Sequence, residues 1–376
     1  MTLLDGRTEL RVAAVGLGWV SQNRHIPCIL RNPRMRLVGT IDKREGRAQE
    51  IAEKNNLKLF SQTDSLNEVP WIDEIDAVVI GSAPFSHHAL ASEALDLGKH
   101  VLTEKPFTMT TADGEDLLRR RDVSGKQLCV VHNFQFAPSM LAMVKDIESG
   151  KLGEIRSLSA VQFGNPKRRL PTWHEDLPLG LFYDESPHLL YLLKRLAPAP
   201  LHLEHALVHP STRGAQTPAT VSAHYSFAEG GKLLPAQLSL NFESPLSEWY
   251  LMFTGSERLG IVDIFRDIYL SLPNDGAHVA STIIRTSLSA TFQHWVQTVT
   301  SGVRHFTGKL SYGNGLVIEK FAAAALDGTR PLGIEAEDAL AVQRMQHEII
   351  DRAVTVGGQK RPARPTEAEG TAAATD

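Results

Sequence analysis

The first part of the chain predicts an α/β fold built on a parallel sheet. Residues 10–15 form a short apolar run, typical of a strand buried on both faces. The run ends at Gly16-Leu17-Gly18, and a second apolar strand, residues 35–41, ends at Asp42 about two dozen residues later. A glycine pair alone also ends ordinary strands. A glycine pair that is followed about two dozen residues later by an acid at the end of the next strand indicates a dinucleotide site.

The turn after the first strand has the residues needed to hold a phosphate. Gly16 permits a tight turn, and Gly18 lets a backbone N–H approach the phosphate closely. A helix is expected to begin here, with its partly positive N-terminus aimed at the same group. The third position of the G-x-G-x-x-G pattern is Ser21, which is still small enough for close helix–strand packing.

Asp42 is expected to select the cofactor. A carboxylate at the tip of this strand accepts hydrogen bonds from the adenosine ribose and repels a 2′-phosphate, so NAD is favoured over NADP. Lys43, Arg44 and Arg47 follow and offer the alternative of binding a phosphate. We predict NAD because the acid is better placed.

Composition limits the classes of function. A chain of 376 residues allows two or three domains, and a net charge of −4 gives no reason to expect a nucleic-acid partner. Cys28 and Cys129 are too few for a disulfide framework or a thiolate metal site, and no metal is expected. Neither a signal peptide nor an apolar span of about 18 residues is recognisable. We therefore expect a cytoplasmic protein with no membrane partner.

The chain is expected to divide into four segments. They are a lead-in (1–8), an NAD-binding domain (9–130), a substrate-binding and oligomerisation domain (131–356) and a disordered polar tail (357–376). In the first domain, a helix over 45–55 and a short strand at 58–60 precede a buried strand at 75–80. The turn that follows, 81–84, lies at the edge of the sheet where open α/β folds bind ligands. A helix at 88–96 and a strand at 100–102 lead into Glu104-Lys105-Pro106.

The series VGLGWV, Asp42, IGSAPFSH, LGKHVL and Glu104-Lys105-Pro106 resembles the glucose–fructose oxidoreductase/inositol dehydrogenase (Gfo/Idh/MocA) family across the first domain. The resemblance implies a Rossmann domain followed by an α+β domain on an open, mostly antiparallel sheet. It also implies oxidation or reduction of a secondary alcohol on a sugar, cyclitol or related polyol. The implied NAD-binding set comprises Gly16, Gly18, Trp19, Val20, Asp42, Lys43, Ser82, Ala83, Pro84, His87, Glu104, Lys105 and Asn133.

Lys105 is the first candidate catalytic residue. It follows a parallel strand and is held between Glu104 and Pro106. If the lysine is desolvated at the cofactor, its pKa falls from about 10.4, and it can relay a proton or polarise a carbonyl oxygen. The alternative is an ordinary solvated lysine. The Lys105–Pro106 peptide is expected to be cis, as in related structures, and Glu104 to pair with a neighbour or orient the lysine.

Asp184 and His188 are the second candidate pair. They close the segment WHEDLPLGLFYDESPH one helical turn apart and resemble the family's substrate-side motif. Pro187 is expected in the first turn of the helix, where its missing N–H costs nothing. His188 is expected to take the hydroxyl proton while Asp184 orients the site. The roles of Lys105 and His188 are interchangeable at this level, and a merely structural histidine is the alternative.

Other residues carry weaker expectations. His87 is expected to be structural or next to the cofactor, and Trp173 fits either the pocket or the core. A helix is expected to begin at His294 and Trp295, with no assigned role. Alternating strands from residue 219 fit the antiparallel sheet, and helices at 316–326 and 337–354 complete the fold. Burial of the open sheet face against another subunit predicts a homodimer or homotetramer.

The substrate class rests on charge. Four acids near the candidate site favour a cationic aminosugar, whereas the basic run 167–169 favours a phosphate or uronate; the acids are Glu175, Asp176, Asp184 and Glu185. A cationic aminosugar substrate would fit the aminoglycoside-biosynthesis branch of the family, where a sugar hydroxyl is oxidised before transamination.

Two other functions are alternatives to this dehydrogenase. One is a glycosidase that retains NAD and oxidises C3 transiently, and the other is a non-catalytic NAD or sugar sensor.

Overall fold

The structure is a computed structural model that describes residues 8–307 and 310–357. The predicted lead-in and tail lie outside this range except for residues 8 and 357. A six-stranded parallel sheet comes first along the chain, in the order β3-β2-β1-β4-β5-β6. Its strands are β1 (Leu10–Val15), β2 (Met35–Ile41), β3 (Leu59–Ser61), β4 (Ala77–Ile80), β5 (His100–Thr103) and β6 (Leu128–Val130).

Helices alternate with these strands, as the sequence predicts. They are α1 (Ile26–Arg31), α2 (Arg47–Lys54), α3 (His87–Asp96) and α4 (Thr111–Ser124). The helix expected after the glycine turn begins instead as a π-helical turn, Ser21–His25, which continues directly into α1. The central strands are buried on both faces, and their carboxyl ends share one edge of the sheet.

An eight-stranded, mostly antiparallel sheet forms the second part, in the order β13-β12-β11-β7-β10-β9-β8-β14. Two of its pairings, β7 with β10 and β8 with β14, are parallel. The strands are β7 (Ile155–Phe163), β8 (His202–His209), β9 (Thr220–Glu229), β10 (Lys232–Asn241), β11 (Glu248–Gly255), β12 (Arg258–Asp263), β13 (Ile268–Pro273) and β14 (Val354–Thr355). The predicted combination of an α/β and an α+β fold is therefore confirmed.

Further helices pack on the second sheet or between the two parts. They are α5 (Pro138–Glu148), α6 (Leu181–Leu196), α7 (Ala280–Phe306), α8 (Asn314–Asp327) and α9 (Ala336–Arg352). Although α8 comes late in the chain, Val317 and Phe321 pack in the same core as Leu10 and Val12 of β1. The helix α9 contacts both α4 and α6. The C-terminal helices therefore hold the two sheets against each other.

The helix α6 carries both candidate substrate-side residues, and its start differs from the prediction. It begins at Leu181, so Pro187 lies inside the helix and not in its first turn. A proline at this position leaves the carbonyl of Tyr183 without its helical N–H partner. Gln346 of α9 donates to that carbonyl at 2.7 Å and compensates for the lost bond. The interior proline is therefore tolerated because a neighbouring helix supplies the missing donor.

The helix α7 also begins earlier than predicted, at Ala280, so His294 and Trp295 lie in its middle. Gln293 and Gln297 bind the outer edge of β13: their side-chain oxygens accept the backbone N–H groups of Ser271 at 2.9 Å and Tyr269 at 2.7 Å. The helix thus covers a strand edge that would otherwise expose unpaired backbone groups. The prediction missed its first turns because the face toward the sheet is polar, the reverse of the usual pattern.

Candidate active site

The turn after β1 has the shape required to hold a phosphate. Gly16 has a positive φ of 74°, and a Cβ there would lie 2.6 Å from the backbone nitrogen of Ser82. A Cβ on Gly18 would meet nothing nearer than the Gly81 carbonyl oxygen at 3.8 Å, so the backbone there is open to a ligand. Ser21 donates to the Gly16 carbonyl at 2.5 Å and ties the helical turn to the strand. These features fit a bound dinucleotide.

Asp42 lies at the tip of β2, buried and fully engaged. It accepts the Leu17 N–H at 2.6 Å, and the Arg44 side chain binds it through two nitrogens at 2.7 and 2.9 Å. Burial alone would raise the pKa of Asp42, but the hydrogen bonds from Arg44 and Leu17 outweigh it and lower that pKa. The carboxylate is therefore ionised at the predicted ribose position. Lys43 beside it is exposed.

The turn after β4 packs against the glycine turn. His87 is buried between two carbonyl oxygens, those of Pro106 at 2.8 Å and Ser82 at 3.1 Å. It therefore connects the turn 82–84 to the Glu-Lys-Pro segment, and burial lowers its pKa. Pro84 opens a short 3₁₀ turn, and the next residue, Phe85, makes an edge contact with Trp173 at 6.4 Å between ring centroids. Trp173 is half-buried at this contact between the two parts.

Glu104 is held from two sides. His25, at the end of the π-helical turn, lies 2.8 Å from its carboxylate, and the Lys105 N–H donates to it at 3.1 Å. Burial would raise the pKa of Glu104, but His25 and Lys105 outweigh it, so the pKa is lowered. The Lys105–Pro106 peptide is cis, as predicted. The backbone that carries Lys105 is therefore anchored to the start of the phosphate-binding segment.

Lys105 and Asp184 meet across the two parts of the protein. The Lys105 ammonium donates to Asp184 Oδ1 at 2.6 Å and to its carbonyl oxygen at 3.0 Å. The side chains are 14% and 15% exposed, so the pair is largely shielded from water. Burial disfavours the ammonium form, but Asp184 and Glu104 outweigh it and raise the pKa of Lys105. The expectation that this pKa falls is wrong, because desolvation is opposed by two carboxylates.

His188 lies one turn after Asp184 in a mostly aromatic surrounding. Its Nδ1 is 2.9 Å from the hydroxyl of Tyr191, which also accepts the Phe134 N–H at 3.0 Å. The rings of Phe134 and Trp249 pack against the imidazole at 4.8 and 5.4 Å. Burial, with further contributions from Lys105 and His132, holds the pKa of His188 well below its usual value. The ring is therefore neutral at pH 7 and able to accept a proton.

The acids that suggested a cationic substrate are mostly neutralised within the protein. Glu175 binds the loop at Gln216 and Thr217, accepting their N–H groups at 2.6 and 3.2 Å. Glu185 binds Arg168 at 2.5 Å and also Gln162. With Asp184 paired to Lys105, Asp176 is the one of the four for which the described residues show no such partner. The acidic cluster is therefore weaker evidence for a cationic substrate than the sequence indicated.

The remaining predicted cofactor residues lie around the same edge. The Asn133 amide is buried and donates to the Tyr312 carbonyl at 2.9 Å. Trp19 is half exposed, and the Arg24 guanidinium lies 5.0 Å from its ring and 5.3 Å from that of Tyr312. Val20 directly precedes the π-helical turn. Ser82 and Ala83 form the turn before Pro84.

Several residues of the site were not singled out from the sequence. Arg44 was considered only as a phosphate ligand, whereas it holds Asp42. Tyr191, three residues after His188, has the helical spacing that signals contact, but LLYLLKRL also fits an ordinary core helix. His25 and His132 carry no recognisable motif. Among the described residues, no group of three or more His, Cys, Asp or Glu side chains is placed to bind a metal ion.

The fold and the glycine turn are those of an NAD-binding Rossmann domain, and one known family matches this part of the chain. Residues 10–132 match the profile of GFO_IDH_MocA, described as an oxidoreductase family with an NAD-binding Rossmann fold. The match lies in the part of the chain whose motifs resemble this family. The Rossmann domain of this family binds NAD.

Most of the similar relatives match about half of the chain or less. The uncharacterized oxidoreductase YdgJ of Escherichia coli (strain K12) is 30% identical over 185 residues, which are 48% of this chain and 52% of YdgJ. The match thus spans about half the length of that relative. A dTDP-3,4-didehydro-2,6-dideoxy-alpha-D-glucose 3-reductase of Streptomyces antibioticus is 25% identical over 308 residues, 81% of this chain and 91% of the reductase.

Solved structures show the same fold over most of the chain. The WlbA dehydrogenase from Bordetella pertussis, in complex with NADH and UDP-GlcNAcA, has a TM-score of 0.72 at 18% identity and covers 92% of this chain and 95% of its own. GenD2 from gentamicin A biosynthesis, in complex with NAD, has a TM-score of 0.70 at 18% identity, covering 90% and 92%. At this identity the likeness establishes the fold alone. No helix among the described residues is long and apolar enough to cross a membrane.

Proposed function

We propose that the protein is an NAD-dependent dehydrogenase that oxidises a secondary hydroxyl of a sugar to a ketone. The observation that carries the proposal is the contact between Lys105 of the Rossmann domain and Asp184, one turn before His188 on α6. It brings a cation and a neutral base from different parts of the chain to one place. Bound NAD supplies the acceptor for the hydride that leaves the carbon.

His188 acts as the general base on the substrate hydroxyl. Its Nδ1–H donates to the Tyr191 hydroxyl, whose oxygen has room for this bond and the one from Phe134. This tautomer leaves Nε2 with its lone pair, and the described residues offer that atom no hydrogen bond. Because its pKa is lowered, the ring is unprotonated before the reaction and receives the hydroxyl proton as the C=O bond forms.

Lys105 acts as an electrostatic stabiliser in this proposal. Its raised pKa keeps the ammonium charged, so it donates a hydrogen bond to the oxygen as negative charge develops there. Asp184 positions the ammonium through its carboxylate and its backbone carbonyl. Of the two roles that the sequence left interchangeable, we propose that His188 is the base and that Lys105 stabilises the alkoxide.

The finer proposal concerns the substrate. We propose an aminosugar-containing glycoside of the aminoglycoside type as the first class to test. This choice is supported by the resemblance to the aminoglycoside-biosynthesis branch of the family and by the structural likeness to GenD2. The acids of the site add little support, because most of them are paired within the protein. Nucleotide sugars are the second substrate class to test, because WlbA was crystallised with UDP-GlcNAcA and the Streptomyces relative is named for a dTDP-sugar.

The test is NADH formation by the full chain with aminosugar glycosides, nucleotide sugars and cyclitols, together with identification of the keto product. We expect Lys105→Met and His188→Gln each to lower kcat by about 10²–10⁴-fold. NAD affinity, measured by calorimetry, should stay nearly constant. Lys58→Met, at an exposed lysine of the same domain, is the matched control. Near wild-type turnover in both site variants would eliminate the mechanism.

Tyr191→Phe separates a positioning role from a structural one. Loss of the hydroxyl frees both imidazole nitrogens, so a larger share of His188 adopts the tautomer with a proton on Nε2. We expect kcat to fall by about tenfold or more with little change in KM, and the pH profile of kcat to shift. An equal loss at all pH values, accompanied by a lower Tm, would indicate that Tyr191 only supports the fold.

A further inference from the structure

The helix α7 presents an apolar surface to solvent. It spans 27 residues, about 40 Å at 1.5 Å per residue. Among its exposed large side chains, Phe292 is 71%, Trp295 67% and Leu288 66% exposed. A helix on a protein surface normally buries its apolar face, so this orientation needs an explanation.

The polar face of α7 is the one used inside the chain. Gln293 and Gln297 bind the edge of β13, and Ser301 is buried and donates to the Arg266 carbonyl at 2.5 Å. Thr282 and Thr286 continue the same half-buried face toward the N-terminus. At 100° per residue, the apolar side chains lie on the other side of the helix. The described protein therefore leaves that side without a covering.

The exposed apolar side chains form a regular row, which we call the α7 stripe. Consecutive members are four, four, three, four and four residues apart, so they follow one side of the helix. No member is charged. The stripe consists of Ile284, Leu288, Phe292, Trp295, Val299 and Val303.

The stripe is symmetric about its own centre. Residues 284 and 303, 288 and 299, and 292 and 295 are equally distant from the point between residues 293 and 294. A two-fold axis through that point would place two antiparallel copies of α7 with Phe292 against Trp295 and Leu288 against Val299. Such self-complementarity is what an isologous interface requires, since the same patch serves both partners.

The area of the α7 stripe is also large enough for a dimer interface. Aromatic side chains bury about 150–250 Å² each when covered, and aliphatic ones less. At the exposures of its two aromatic and four aliphatic members, the stripe offers on the order of 600–800 Å². This exceeds what most monomers leave exposed and approaches the ~800 Å² per partner of a stable complex. Two aromatic rings at the centre match the usual composition of interface hot spots.

We infer that α7 is a dimerisation helix that pairs antiparallel with α7 of a second copy of this chain. The inference replaces the open sheet with the helix as the contact surface. On the sheet, the outer positions of β8 to β10 are polar, as shown by His205 stacked on His224 at 4.4 Å and by exposed Gln237 and Ser239. The outer positions of β7 and of β11 to β13 are more apolar, as at Val161, Met252 and Ile261, but these side chains are only partly exposed. The more exposed large apolar side chains lie on α7.

The first test is the mass of the full chain by sedimentation equilibrium at micromolar concentration. We expect twice the chain mass of 41.4 kDa. Leu288→Asp and Trp295→Asp should each raise the dimer dissociation constant by about 30-fold or more, with an unchanged far-UV circular dichroism spectrum. Val123→Asp is the matched control, because Val123 is an isolated apolar residue, 90% exposed, on α4. It should remain dimeric.

The second test determines the orientation. Under oxidising conditions Leu288→Cys/Val299→Cys should form a disulfide-linked dimer, whereas each single variant should not, because antiparallel pairing places residue 288 opposite residue 299. The native Cys28 and Cys129 are buried and do not interfere.

Three results would overturn the inference. One is a monomeric wild-type chain, including one that instead binds lipid vesicles through α7. Another is a dimer unaffected by Leu288→Asp but dissociated by Leu233→Asp on β10, which would assign the interface to the sheet. The third is cross-linking of the single cysteine variants, which would show parallel pairing.

Discussion

The ion pair between Lys105 and Asp184 should stabilise the fold by a measurable coupling energy. Replacing Asp184 with Asn removes the charge but keeps an oxygen near the ammonium. The bond lost is short, 2.6 Å, and the side chains are only 14% and 15% exposed. With an effective dielectric constant of about 20, the gross attraction at this distance is about 6 kcal/mol.

Most of that attraction offsets the dehydration of the two groups. Removing one partner of a buried pair costs about 3–5 kcal/mol. Here the loss should be smaller, because the Asp184 carbonyl still accepts from Lys105 at 3.0 Å and Glu104 remains nearby. We therefore expect Asp184→Asn to lower the free energy of unfolding by about 2 kcal/mol. The double variant Lys105→Met/Asp184→Asn should regain much of the lost free energy of unfolding.

The assay is a double-mutant cycle by urea unfolding at pH 7, which isolates the interaction from the separate costs of the substitutions. The pKa of Lys105 is raised above its ordinary 10.5, so the contribution of its ammonium is complete at pH 7 and is lost only as the pH rises through the raised value. Arg34 and Asp327, an exposed pair with an N–O distance of 2.6 Å, provide a matched control cycle that is expected to give a much smaller coupling energy, because water screens the two charges. A coupling at the Lys105 pair no larger than this control would refute the reasoning.

Three further predictions follow from the site and its supports. Asp42→Ala should weaken NAD binding by about tenfold or more and free the Arg44 guanidinium to bind a 2′-phosphate. Calorimetry should therefore show a smaller preference for NAD over NADP. An unchanged preference would contradict the role of Asp42 at the ribose. Gln346→Met should lower the free energy of unfolding by about 1–3 kcal/mol, because it removes the hydrogen bond from Gln346 to the Tyr183 carbonyl. A neutral result in urea titration would show that this bond adds nothing. Burial lowers the pKa of His132 to about 4, so the unfolded state binds more protons and the free energy of unfolding should fall as the pH decreases from about 6.5 to 4. His132→Phe should reduce that fall by about 2–3 kcal/mol. An identical pH dependence in both proteins would contradict this prediction.

Local patterns in the sequence were sufficient for the first sheet. The apolar runs before Gly16 and Asp42 each describe a buried strand and the residue type needed at its end, so fold and cofactor could be predicted together. The family's motifs singled out Lys105 and the segment around Asp184 as two separate candidates. Spacing alone carries no distance between residues so far apart in the chain.

The partners of charged groups could not be predicted, because they depend on contacts between distant segments. The sequence shows acids around Glu175 and Glu185 but not that Thr217 and Arg168 satisfy them. For the same reason the direction of the Lys105 pKa shift was wrong, since desolvation was visible in the motif and the opposing carboxylate of Asp184 was not. The interior position of Pro187 likewise depends on Gln346, far away in the chain.

The central claim is that the protein removes a hydride from a sugar carbon and passes the hydroxyl proton to His188. Its most direct test is a sugar deuterated at the carbon to be oxidised, incubated with the full chain and NAD, with the reduced cofactor and the product analysed by mass spectrometry. The account predicts one deuterium in the reduced cofactor for each keto-sugar released, and a large loss of this transfer in His188→Gln but not in Lys58→Met. Tight NAD binding without deuterium transfer to any sugar of the panel would contradict it and favour a sensor. Deuterium returned to a cleaved glycoside, with no net reduction of the cofactor, would identify an NAD-retaining glycosidase instead.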